Sequence, residues 1–105
     1  ERGSFTSRLK ADLVLALALV HHLAIANNVP LALIAAWLRP MGAYLIIEFV
    51  PKSDEKVKLL LLNRKDIFDS YSLDHFRSVF AATHQILKEE KVGNTGRVLF
   101  LMKRT

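Results

Sequence analysis

Long apolar stretches separated by short polar breaks set the reading of this chain. From Ala11 to Leu19 every residue but Asp12 is apolar. The run has strand length, and its continuity predicts a β-strand buried on both faces, although Ala and Leu favour helix. Residues 20–28 (VHHLAIANN) read as a loop with room for a helical turn. Asn28 is a candidate N-cap and Pro30 suits a first helical turn, where a missing N–H is tolerated. Leu31, Ile34, Ala35 and Leu38 then fall on one apolar face of a helix that Pro40 and Gly42 stop. Ala43 to Val50 (AYLIIEFV) is β-branched and aromatic and predicts a central strand.

Pro51 ends that strand. Ser53 or Asp54 can cap a short helix whose apolar residues are Val57 and Leu59 to Leu62. Ser72 caps another, with Tyr71 and Phe76 spaced as a hydrophobic staple and Leu73, Phe76, Val79 and Phe80 on its buried face. Residues 85–92 (QILKEEKV) are half polar, as a strand near a sheet edge should be. Gly93 to Gly96 reads as a turn, and Arg97 to Lys103 (RVLFLMK) as a more central strand. A helical crossover makes the first two strands parallel, and a tight turn makes the last two antiparallel.

Composition narrows the function classes. The chain has 105 residues, a net charge of +5 and no cysteine. It is one α/β domain at most, with no disulfide framework or thiolate zinc site, and its composition suits the cytoplasm. The basic residues are scattered and mostly balanced by nearby acids, without an aromatic-interleaved stripe, so nucleic-acid binding is not expected. The apolar run 13–20 is too short for the ~20 residues of a membrane span, and no signal-peptide pattern follows it. Residues 1–10 read as a loop or frayed end. The absence of an initiating Met points to a cloning boundary or a processed fragment.

The stretches DLVLALALVHHL (12–23), LRPMGAYLIIEF (38–49) and residues 97–104, in that order, resemble the second half of the class I S-adenosylmethionine-dependent methyltransferase domain. ALALVHHLAIANNVPL followed by LIIEFVPK is similar to the bacterial methyltransferases that resemble nodulation proteins. The resemblance covers residues 11–105. It implies part of a Rossmann-like sheet, in which the strands here stand for the family's fourth, fifth, seventh and sixth. The last strand would be antiparallel and inserted, with flanking helices. It also implies an enzyme that transfers a methyl group to an unknown acceptor, with Ala16, Leu17, Ala18 and Leu19 lining the methionine side of the cofactor. The family's glycine-rich loop and ribose-binding acid are absent, since Gly3, Gly42, Gly93 and Gly96 form no such loop. The 105 residues alone are therefore expected to be inactive and not to bind S-adenosylmethionine. A small non-enzymatic α/β binding or assembly module is the alternative.

Three side chains are candidates for chemistry. His21 and His22 follow a strand's carboxyl end, where open α/β sheets bind ligands, and imidazole can act as a general base near neutrality. Packing of one ring and exposure of the other is the plainer role. Glu48 lies in an apolar strand, where a carboxylate needs a partner. It can contact substrate, orient the His loop, or pair with a Lys or Arg. Asn27 and Asn28 suit capping better than substrate binding, and Trp37 and the Phe residues are expected in the core. No metal site, Ser-His-Asp or Cys-His arrangement or phosphate loop is legible. Strand 13–19 is expected to lack a neighbour on one side and to self-associate through that edge.

Overall fold

The computed structural model describes residues 13–62 and 65–105. The loop or frayed end read at residues 1–10, and the start of the first strand at Ala11 and Asp12, lie outside them. The four strands are β1 (Leu13–Ala16), β2 (Tyr44–Phe49), β3 (His84–Lys91) and β4 (Val98–Arg104). The α-helices are α1 (Leu31–Leu38), α2 (Glu55–Leu61) and α3 (Leu73–Ala81). The strands form one mixed sheet in the order β1-β2-β4-β3. β1 is parallel to β2, while β4 runs antiparallel to both β2 and β3. β4 therefore pairs on both sides, with Ile46 opposite Leu101, Ile47 opposite Phe100 and Ile86 opposite Met102.

Period-two alternation sorts the sheet's faces. Leu45, Ile47 and Phe49 of β2 and Val98, Phe100 and Met102 of β4 are buried. Leu31, Ile34, Ala35 and Leu38 of α1 and Phe76 and Phe80 of α3 join the same core. Phe76 is its hub, with ring centroids 5.2 Å from Phe49, 4.5 Å from Phe80 and 5.0 Å from Phe100. Such aromatic contacts add to area burial. The other face carries the row Leu15, Ile46, Leu101 and Lys88, matched by register. Leu15 there is 62% exposed.

Several expectations change. β1 ends at Ala16, because the backbone turns at Ala18, whose φ is 55°. Its burial is one-sided: Leu13 and Leu15 are exposed and Ala16 is buried. The loop after it closes into a π-helical turn, His22–Ala26, with the Asn27 N–H donating to the His22 carbonyl. Pro30, not Asn28, occupies the N-cap position of α1. Asn28 instead takes a left-handed backbone with φ 55°, a conformation Asn tolerates better than most residues. Trp37 is exposed, because it lies across α1 from the buried stripe of Ile34, Ala35 and Leu38. In α2, Val57 is buried but Leu59 is exposed, as is Leu62 just beyond the helix.

The caps at Asp54 and Ser72 form as expected, each accepting from a backbone N–H, of Lys56 and of His75. Tyr71 and Phe76 are both buried, and Phe49 packs on both rings. No helix among the described residues is long and apolar enough to cross a membrane.

Candidate functional site

The parallel pair places its carboxyl ends side by side. Ala16 is in register with Ile47, so Glu48 on β2 lies one step beyond the end of β1. The Ala18 N–H donates to Glu48 Oε1 at 2.9 Å. Glu48 thus ties down the loop that leads to the histidines. Its other oxygen, Oε2, lies 3.7 Å from an Arg97 guanidinium nitrogen. The ion pair expected for Glu48 is present, and its first oxygen holds the backbone of the loop before the histidines.

Arg97 arrives from the hairpin between β3 and β4. Gly96, at φ 80°, makes the turn just before it. A Cβ there would come within 3.3 Å of Pro51 Cγ, so glycine suits the position for its backbone and for space. Arg97 donates to both oxygens of Asp54, at 2.8 and 3.2 Å. Such two-point, charge-assisted pairing is strong and directional. These hydrogen bonds hold the Asp54 carboxyl below its ordinary pKa. Asp54 also caps α2, so the hairpin and the helix start share one carboxylate.

His21 is buried and its Nδ1 has no hydrogen-bond partner. Burial lowers its pKa, and nearby His22 and Arg97 lower it further. Both effects favour the neutral ring. His22 is exposed, its ring centroid 4.4 Å from that of His21. One packed ring and one open ring is the plainer arrangement named above. Ala16 is buried, Leu17 and Ala18 are exposed, and Leu19 is half-buried. Leu19 accepts from the His22 and Leu23 N–H groups.

The structure brings Ala18, His21, His22 and Glu48 together. It leaves Asn28 away from them, lining a different cavity with Tyr71 and Phe68. Among the described residues no three potential metal ligands converge. Sequence reading missed Arg97 and the second role of Asp54. Their partners lie 43 residues apart, and only the Gly96 turn marked the place.

No family model matches the sequence. The chain is similar to the nodulation protein NoeA of Rhizobium meliloti (strain 1021), at 44% identity over all 105 residues. It spans only 22% of that protein's length. The similarity agrees with the nodulation-protein-like character of 16–31 and 45–52, and the relative's name states no chemistry.

Proposed function

We propose that this chain is the C-terminal portion of an S-adenosylmethionine-dependent methyltransferase domain within a longer protein. The observation that carries the reading is the strand order β1-β2-β4-β3, with the final strand inserted antiparallel between its neighbours. That is the arrangement expected of the family's fourth, fifth, seventh and sixth strands. The similarity to NoeA brings a part in nodulation into the same proposal.

The residues present suit one wall of a cofactor site. Ala16 and Ala18 carry only methyl side chains at the end of β1, and the chain turns away from the strand at Ala18. Leu17 and Ala18 are exposed beside them. When bound, the cofactor supplies an electrophilic methyl carbon. Glu48 holds the wall by the Ala18 N–H, and His22 is exposed at the same end to meet an acceptor and take its proton. Catalysis of this kind rests largely on positioning, so an obvious nucleophile is not required. No glycine-rich loop follows a strand in these residues, so the second wall must come from elsewhere.

Calorimetric titration of S-adenosylmethionine tests this. The longer protein should bind it and transfer labelled methyl groups, while the 105-residue chain alone should give no appreciable heat. Tight binding by the short chain would overturn the assignment of its half. Absence of binding by the longer protein would favour the binding-module alternative.

A further inference from the structure

The Arg97 guanidinium lies between two carboxylates that have little access to water. The side chains of Arg97, Glu48 and Asp54 are 23%, 12% and 9% exposed. Asp54 fixes the guanidinium through two hydrogen bonds. A third nitrogen is thereby held towards Glu48 Oε2, and Glu48 Oε1 accepts the Ala18 N–H. The chain of contacts runs from a hairpin, through a strand, to the loop after β1. A non-glycine residue at φ 55° is uncommon and persists where its surroundings over-determine it. The charged acceptor on the Ala18 N–H supplies that restraint. A carboxylate so placed needs a counter-charge, which Arg97 provides.

Building on the reading of Ala16–Leu19 as a cofactor wall, we propose that Arg97 is a positioning residue, acting through Glu48 to set the bend at Ala18. Arg97 touches none of residues 16–19 by hydrogen bond or ion pair among the contacts described, so its effect on them passes through Glu48. Asp54 serves as its anchor. The hairpin turn at Gly96 and the wall at Ala18 are thus one mechanical unit, although they lie at opposite ends of the sequence.

A double-variant cycle in the full-length protein tests this, read by hydrogen–deuterium exchange and by steady-state kinetics. Glu48→Gln and Arg97→Gln should each speed exchange in residues 17–23. The change should be about tenfold, because the hydrogen bond to the Ala18 N–H loses its charge assistance in Glu48→Gln and its held acceptor in Arg97→Gln. The double variant should exchange no faster than Glu48→Gln alone, because the two residues act in series. Arg97→Lys keeps the charge without the fork and should restore part of the protection. The KM for S-adenosylmethionine should rise about tenfold in both single variants with kcat little changed. Unchanged exchange at 17–23 in Arg97→Gln, or fully additive effects in the double variant, would overturn the proposal. A full-length protein without methyl transfer would remove the methyltransferase reading, while the exchange cycle would still decide the path from Arg97 to Ala18.

Discussion

His21 and His84 share a condition: each ring is buried and each keeps one nitrogen without a partner, Nδ1 in His21 and Nε2 in His84. Burial is the first cause that lowers both pKa values from the ordinary 6.5. Below 6.5 the unfolded chain therefore takes up protons that the folded chain refuses. Stability is complete above that pH and falls as pH drops from 6.5 through the two folded values. Urea midpoints should decline between pH 7.5 and pH 5, and a His21→Asn/His84→Asn variant should show a flatter profile over that range. An equally steep decline in the variant would remove the histidines as the cause. Sequence led to the expectation that one of the two rings is packed, but did not show that it is His21. That follows from the π-helical turn folding it inward, a hydrogen-bond pattern with no residue signature. Arg97 was equally hidden: nothing local to it names Asp54 or Glu48. Glu48 was legible because a lone carboxylate in AYLIIEFV needs a partner wherever the strand goes.

α3 shows how a short element is fixed by its cap and one buried ring. Ser72 accepts the His75 N–H at its start, and Phe76, one turn in, is fully buried among Phe49, Phe80 and Phe100. Ser72→Ala should cost about 1 kcal/mol. Phe76→Ala should cost about 3–5 kcal/mol, since it removes a buried ring and leaves a cavity. Chemical denaturation of both variants measures the difference, and equal losses would contradict the hub role of Phe76. This helix was readable in full, because its cap, staple and buried stripe agree with one another. β4 was readable because RVLFLMK is apolar at successive positions while residues 85–92 are half polar, the contrast expected between a strand inside a sheet and one at its edge. β1 was overextended in the reading, since Leu17 and Ala18 look no different from Leu15 and Ala16. The turn there is imposed by Glu48, thirty residues away.

At the scale of the molecule, connection lengths carried the topology: a helical crossover gave the parallel pair and a tight turn the antiparallel one. The sheet's two edges are unlike. β1 has no partner strand on its outer side among the described residues, and Leu13 and Leu15 are exposed beside that edge. The self-association expected through 13–19 is thereby reduced to the four residues of β1. The 105-residue chain should still sediment as a dimer at micromolar concentration, and Leu15→Lys should shift it to monomer. A wild-type chain that stays monomeric at every concentration would end this idea. The opposite edge, β3, carries Lys88, Glu89, Glu90 and Lys91 and a register shift between Ile86 and Lys88. Charge and irregularity of this kind discourage further pairing. In a polymer chemist's terms each copy is monofunctional, with one reactive end and one terminated end. Raising the concentration should therefore bring the mass to a plateau at the dimer, with no growth into fibrils.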